Sequence, residues 1–220
     1  MRERFAGCPR LNCRISTTKR RFPILRLAHF ITDFGDPAIV LPVGGIIGLW
    51  LFLVTSWQIT ARWTVSLLLV GIGAAGLRLL FYIWPPLVSP ELRIPSGHTA
   101  GSALVYGGFA LIIARAGSER EGAAATAMAT LIISAIAFSR VYLPNGHSAV
   151  EVAVGLIIGL GCLAWFARAD FAAAGPSMHL RAMTVAVTAL AWLLHGQQFN
   201  VWPLLRAAAL YVHSVFIAVG

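Results

Sequence analysis

The sequence predicts an all-α, polytopic membrane bundle of about six transmembrane helices. Of the 220 residues, 58% are hydrophobic and only 11% are charged, whereas soluble domains carry about 25% charged residues. The mean hydropathy is +0.79. Apolar runs long enough to cross a bilayer also recur along the chain, separated by short polar connectors. These observations argue against a soluble enzyme, a disordered regulator and a disulfide-stapled secreted module.

Much of the positive charge lies in the first 28 residues. The net charge is +9, and eight of the 17 Lys and Arg residues precede residue 27. A basic stretch mixed with Pro, Ser and Thr is typical of a tail beside a membrane, and we therefore expect no nucleic-acid partner. We predict that residues 1–28 form a basic, disordered N-terminal extension and that residues 29–220 form a single membrane-embedded domain.

Six apolar runs predict the membrane spans. The first, Ala38 to Thr55, contains 18 residues without a charge, which is about the length needed to cross the hydrocarbon core as a helix. The other five runs are residues 63–83, 98–115, 122–139, 147–167 and the short 181–195. Residues 199–219 are interrupted by Pro203 and Arg206, so they predict either a further span or an interfacial helix. Small residues are dense in the fourth and fifth spans and predict close helix packing there: Ala123, Ala124, Ala125, Ala127, Ala129, Gly155, Gly159 and Gly161.

Two polar connectors interrupt the apolar background, the first at residues 89–99 and the second at residues 139–151. Ionisable groups at membrane depth are costly and usually functional. Two spans separate the connectors, so both are expected on the same side of the membrane. In the first connector, Ser96 is a predicted helix N-cap, which leaves the following N–H groups at the positive end of a helix. Such an end binds phosphate, and Gly97 would let the backbone approach it closely.

The second connector predicts an activated histidine. Residues 144–146 form a turn signal, so the fifth span should begin near His147, with Glu151 one helical turn further on. A carboxylate at that position can accept a hydrogen bond from one imidazole nitrogen and leave the other nitrogen nucleophilic. Arg140, just before the turn, offers a fixed positive fork for phosphate oxygens.

These residues together resemble a known family. Pro95-Ser96-Gly97-His98, followed by Ser139-Arg140, His147 and Glu151, is similar to the second and third signature motifs of the type 2 phosphatidic acid phosphatase superfamily, which shares its core with vanadium-dependent haloperoxidases. The two motifs in this order and at helix starts are specific, and the resemblance covers roughly residues 29–195. The segment Ile31-Thr32-Asp33-Phe34-Gly35-Asp36 resembles the opening of small bacterial members.

The resemblance implies a metal-independent lipid phosphatase that needs no cofactor. By the family's pattern, His147 attacks phosphorus to form a phosphohistidine and His98 protonates the leaving group. Ser96, Gly97 and Arg140 then hold phosphate oxygens. The third-motif acid is normally aspartate, and here Glu151 takes its place. The implied substrate is a phospholipid or polyprenyl phosphate presented by the bilayer.

The first family motif, Lys, six residues, Arg-Pro, is not conserved in this chain. The nearest match is Arg78, six residues, Pro85-Pro86, so one phosphate-binding cation is missing. Arg93 lies three residues before Ser96, and we predict that it replaces that cation. Arg78 is a further candidate phosphate ligand, with a snorkelling residue at a helix end as the alternative.

Two other functions fit the same residues. A degenerate member could bind phospholipid or take part in transport without turnover. A membrane metalloenzyme could use His98, His147 and Glu151 as metal ligands. Measuring phosphate release with and without a chelator distinguishes the metal-independent phosphatase, the non-catalytic member and the metalloenzyme.

The membrane orientation follows from two opposing signals. The basic tail favours a cytoplasmic N-terminus, which would place the site in the cytoplasm. Arginines in the loops on the opposite side favour the reverse: Arg62, Arg115, Arg120, Arg168 and Arg181. The second arrangement agrees with the family, so we predict a bacterial inner-membrane protein with its active site at the periplasmic face.

Overall fold

The computed structural model describes residues 23–83, 95–143, 146–169, 171, 177–199, 207 and 211. Within these ranges the chain forms seven helices and no strand: α1 Pro23–Asp33, α2 Pro37–Val54, α3 Trp57–Ile83, α4 Gly97–Ala116, α5 Glu119–Tyr142, α6 Ala149–Phe166 and α7 Ser177–Leu193. The predicted all-helical fold class is confirmed.

Five helical stretches in the described part of the chain are long and apolar enough to cross a membrane. They are Leu25–Val54, Trp57–Leu77, Gly97–Ala116, Glu119–Tyr142 and Ala149–Phe166, and His179–Leu193 is a shorter apolar helix. Five of the six predicted spans are thus confirmed as apolar helices of spanning length, and the sixth is short, as the sequence indicated. The predicted segment 199–219 lies almost wholly outside the described residues.

The helix boundaries differ from the predicted ones in three places. α1 begins at Pro23, so residues 23–28 of the predicted extension are helical, while residues 1–22 lie outside the described part. α3 begins at Trp57, six residues before the predicted start, because a helix can continue through polar residues beyond its apolar segment. α6 begins at Ala149 and not at His147, because Ser148 takes the N-cap position.

α4 is the central helix of the bundle. It packs against α2, α3, α5, α6 and α7, and most of its residues are buried. Around it, the indole of Trp63 on α3 is fully buried and donates a hydrogen bond to the Gly44 carbonyl at 2.8 Å. The outer surface of the bundle exposes large apolar side chains, as expected where helices face lipid tails: Phe52, Leu53, Leu69, Leu131 and Ile157.

Two glycines on α6 let its backbone pack directly against the backbone of α4. A Cβ atom added at Gly155 would lie 2.5 Å from the Ser96 carbonyl oxygen, and one at Gly159 would lie 2.3 Å from the Ala100 carbonyl oxygen. The predicted close packing of the fifth span is therefore present at these two positions. In the fourth span, three of the five alanines are exposed: Ala123, Ala124 and Ala127. Close helix packing was therefore wrongly predicted for these three, because their side of α5 faces outward.

One end of the bundle gathers the polar segments. The α1–α2 turn, the start of α4, the end of α5, the start of α6 and the segment after α7 all meet there. The backbone N–H of Ser96 donates to the Glu151 carbonyl oxygen at 3.0 Å, and the backbone N–H of Phe199 donates to Asp36 Oδ1 at 3.0 Å. The prediction that the two polar connectors lie on the same side is confirmed by the first of these bonds.

Candidate active site

A polar cavity of about 250 Å³ opens at this end of the bundle. Its wall combines residues of the α1–α2 region with residues of α4, of the α5–α6 connector and of the segment after α7. The lining residues are His29, Thr32, Asp33, Asp36, His98, Arg140, Leu143, Gly146 and Gln198. Two predicted site residues, His98 and Arg140, therefore share one cavity. His29, which has no partner pattern in the sequence, also lies at its wall.

The first polar connector ends where α4 begins. Ser96 occupies the predicted N-cap position, yet its side chain makes no capping hydrogen bond to the described first turn. Its hydroxyl instead accepts a hydrogen bond from the Thr99 hydroxyl at 2.9 Å. Among the described residues, a Cβ atom at Gly97 would meet only the Ala74 Cβ, at 3.7 Å, which is an ordinary contact. Packing among the described residues therefore does not require glycine at position 97, which is compatible with the predicted role beside a phosphate.

The second connector forms the predicted histidine–carboxylate pair. The distance from His147 Nδ1 to Glu151 Oε2 is 2.8 Å, and the two side chains are only 10% and 9% exposed. With the proton on Nδ1 donated to Glu151, the Nε2 atom of His147 carries the lone pair and is the nucleophilic nitrogen. Although His147 precedes the helix, the pair forms as the spacing predicted.

Glu151 also caps its own helix. Ser148 is the N-cap of α6, and its hydroxyl accepts from the Glu151 N–H at 3.2 Å. The Ser148 N–H in turn donates to Glu151 Oε2 at 3.1 Å, which completes a capping box. A glutamate at this third helical position thus suits two tasks, because the same carboxylate oxygen reaches both the cap and His147.

Arg140 lies in the last turn of α5, close to His147 along the backbone. Six residues separate the two, one more than the five of the family motif. The His147 N–H donates to the Arg140 carbonyl oxygen at 2.8 Å, and the Gly146 N–H donates to the Leu143 carbonyl oxygen at 2.8 Å. These bonds close the connector into a tight loop. Any side chain at Gly146 would collide with the loop carbonyls, because a Cβ there would lie 2.2 Å from the Arg140 oxygen.

His98 has a carboxylate partner that sequence reasoning missed. Its Nε2 atom lies 3.5 Å from Asp36 Oδ2, and the two side chains are 23% and 11% exposed. Asp36 is the N-cap of α2, with Pro37 in the first turn, and this Asp-Pro helix-start signal was available in the sequence. It did not reveal the contact, because 62 positions separate Asp36 from His98.

Two predicted phosphate ligands cannot be located from the described side chains. Arg78 lies on α3, but its side chain is outside the described part, and Arg93 lies wholly outside it. No group of three His, Cys, Asp or Glu side chains able to hold a metal ion is found among the residues that are described.

The N-termini of several helices and a set of ionisable side chains lie together at the site. Asp36 caps α2 and pairs with His98 in the first turn of α4. The Ser96 cap of α4 is bonded to the first turn of α6. The positive ends of three helices therefore lie near one another, and Arg140 adds a full positive charge at the cavity wall. Such an arrangement can hold an anion beside His98, whereas His147 and Glu151 lie next to the cavity and are not among its lining residues.

The fold and this site define a helical membrane protein with paired histidine–carboxylate groups at one end of its bundle. A family model described as the PAP2 superfamily matches residues 81–173, a segment that includes both signature motifs. The match supports membership of this superfamily, the type 2 phosphatidic acid phosphatases, to which the sequence motifs also pointed. Membership supports a general phosphohydrolase role. No curated protein and no solved structure matched the chain.

Proposed function

We propose that this protein hydrolyses a lipid phosphate or diphosphate through a phosphohistidine intermediate, without a metal ion. The observation that carries the proposal is the 2.8 Å contact between His147 Nδ1 and Glu151 Oε2. This contact lies at the third-motif position of the family, next to a cavity lined by His98 and Arg140. An oriented, largely buried imidazole beside a fixed cation suits nucleophilic attack on a phosphate ester.

The reaction proceeds in two balanced steps. His147 Nε2 forms a bond to phosphorus while the bond from phosphorus to the leaving oxygen breaks, and protonated His98 gives that oxygen its proton. The lipid alcohol departs, or the lipid monophosphate when the substrate is a diphosphate, which leaves a phosphohistidine and a neutral His98. Water then attacks phosphorus, one of its protons passes to His98, and the bond from phosphorus to His147 breaks to release inorganic phosphate. Glu151 stabilises the positive charge on His147 as the bond to phosphorus forms.

The phosphate group is held by charge and by backbone dipoles. We assign its oxygens to the guanidinium of Arg140 and to the first turn of α4, at Ser96 and Gly97. A dianionic phosphoryl group needs several positive partners in its transition state. We therefore retain Arg93 as the replacement for the missing first-motif cation, with Arg78 as the second candidate.

A membrane lipid is the substrate class that fits the position of the site. The cavity opens at the end of a bundle whose outer face exposes large apolar side chains, so a lipid headgroup can enter while its chains remain in the bilayer. Candidate substrates are phosphatidic acid, phosphatidylglycerol phosphate and polyprenyl diphosphate. We place the site at the periplasmic face of a bacterial inner membrane, because five arginines lie at or near the helix ends on the opposite side.

The direct test is phosphate release by detergent-purified protein from a panel of these lipids, with EDTA and with vanadate. Turnover should survive EDTA, because the proposed chemistry uses only side chains. Vanadate should inhibit, because it can adopt the trigonal-bipyramidal geometry of phosphoryl transfer and bond to His147. Loss of turnover on chelation, restored by a divalent cation, would instead support the metalloenzyme.

A matched pair of variants tests the role of Glu151. The start of α5 has the same capping box, formed by Ser118 and Glu121, but without a histidine partner among its described contacts. Glu151→Gln and Glu121→Gln should therefore affect their helix caps similarly, since glutamine also serves in a capping box. Only Glu151→Gln should reduce turnover, by about a hundredfold. Equal turnover in the two variants would remove Glu151 from the mechanism.

The missing first-motif cation favours one alternative, a non-catalytic member that binds phospholipid. Such a protein would bind the lipids of the panel but release no phosphate from any of them. Measuring lipid binding and phosphate release on the same preparation therefore separates the two functions.

A further inference from the structure

We infer that Asp36 is a positioning residue for His98, so that each histidine of the site has its own carboxylate. This inference rests on the proposed function, because it assigns Asp36 to the proton donor of that reaction. Neither family motif in the sequence includes Asp36, and it contacts His98 only because the α1–α2 turn packs against α4.

Asp36 is held rigidly through one of its two carboxylate oxygens. Oδ1 accepts a hydrogen bond from the Ala38 N–H at 2.8 Å and another from the Phe199 N–H at 3.0 Å. Oδ2 faces His98 Nε2 at 3.5 Å. The backbone of two separate segments thus fixes the carboxylate, and the second oxygen is directed to the imidazole.

The turn that carries Asp36 approaches α4 unusually closely. A Cβ at Gly35 would lie 3.0 Å from the Ser102 hydroxyl and from Ile136, and 3.3 Å from the His98 Cβ. Glycine therefore allows the turn to lie against the first two turns of α4. Without this close approach, a side chain as short as aspartate could not reach His98.

A buried carboxylate beside His98 can fix the ring orientation that the reaction needs. The general acid must present its proton to the leaving oxygen when the bond from phosphorus breaks, and a carboxylate fixed by two backbone N–H groups restricts rotation of the neighbouring imidazole. At 3.5 Å the contact is longer than a strong hydrogen bond. The proton on Nε2 can therefore pass to a leaving oxygen in the cavity, while Asp36 keeps the ring oriented.

The test is the variant Asp36→Asn, assayed on a lipid phosphate and on p-nitrophenyl phosphate. Asparagine caps a helix as well as aspartate does, and its side-chain oxygen can still accept from Ala38 and Phe199, so only the group facing His98 changes. On the lipid, kcat should fall at least about tenfold, and by no more than His98→Ala, because Asp36 acts through that histidine. On the aryl ester, whose leaving group needs little protonation, turnover should be close to that of the parent protein.

Two further variants make the result specific. Asp36→Asn added to His98→Ala should cause no further loss on the lipid, whereas independent effects would multiply. Asp33→Asn removes a carboxylate from the same cavity, but Asp33 forms no ion pair with His98 in the described residues. It should leave the ratio of the two substrate rates unchanged. If Asp36→Asn does not fold, Asp36→Ser should be assayed in its place on the same two substrates. Its hydroxyl can still cap the helix but is too short to reach the imidazole.

The outcomes separate this inference from the proposed function. Equal losses on both substrates, or additive losses with His98→Ala, would overturn the role of Asp36 while leaving the phosphatase intact. A parent protein that releases no phosphate from either substrate would overturn both.

Discussion

Replacing Gly155 with alanine should weaken the bundle and disable the site together. The added Cβ would lie 2.5 Å from the Ser96 carbonyl oxygen, whereas ordinary contacts begin at 3.4 Å, so the helices must separate by about 0.9 Å. The obstacle is a backbone atom, which cannot rotate away as a side chain can. Overpacking of this kind costs about 1–3 kcal/mol.

The same displacement should also break the backbone hydrogen bond that connects the two signature motifs. The Ser96 N–H donates to the Glu151 carbonyl oxygen at 3.0 Å, and an added separation of about 0.9 Å exceeds hydrogen-bond distance. α4, which carries His98, would then shift relative to α6, which carries Glu151. A misplacement of about 1 Å can cost about a hundredfold in rate. We therefore expect kcat/KM on the lipid substrate to fall by about that factor.

Gly161→Ala is the matched control. Gly161 lies on the same helix, and a Cβ there would have no atom of the described residues within 4 Å apart from its own helix backbone, so this variant reports the intrinsic preference of alanine for a helix. Thermal unfolding in detergent and lipid phosphatase activity should be measured on both variants. Equal results for Gly155→Ala and Gly161→Ala in both assays would show that α4 and α6 do not need glycine at position 155. A lower Tm with full activity would refute the link to the site alone.

The remaining predictions concern the roles of the site residues. His147→Ala should be inactive on lipid and aryl phosphates alike, because no covalent intermediate can form. His98→Ala should lose about a hundredfold to ten-thousandfold on lipid but retain a larger fraction of its rate on p-nitrophenyl phosphate; rescue of His147→Ala by the aryl ester would reverse the two assignments. Arg93→Ala should cost about a hundredfold in kcat on the lipid and Arg78→Ala less; the opposite order would make the degenerate first motif the working one.

The sequence predicted the spans well because the cost of burying charge in lipid leaves a strong pattern. The predicted first span, Ala38 to Thr55, differs from the observed helix by one residue at each end. Helix starts outside the apolar core were harder to predict, because local capping decides them. α6 begins after Ser148, since that hydroxyl satisfies the N–H of Glu151.

The site was predicted only as far as its contacts are local in sequence. His147 and Glu151 are four positions apart, so their spacing predicted the contact, although His147 itself precedes α6. Asp36 reaches His98, and Phe199 reaches Asp36, through tertiary packing, and nothing in one sequence specifies which helix faces which. The roles of Arg93 and Arg78 stay predictions, because their side chains lie outside the described part of the chain.

Glu151 has both a structural and a proposed catalytic role, which restricts how this position can change during evolution. One carboxylate both closes the first turn of α6 and orients His147, so selection for folding and selection for activity act on a single residue. A descendant that lost catalysis would still be selected to keep Glu151 for its helix cap. His147, in contrast, would be free to drift once turnover no longer mattered. Among related sequences, retention of the histidine is therefore the better marker of a working enzyme, and retention of the glutamate alone marks only an intact helix start.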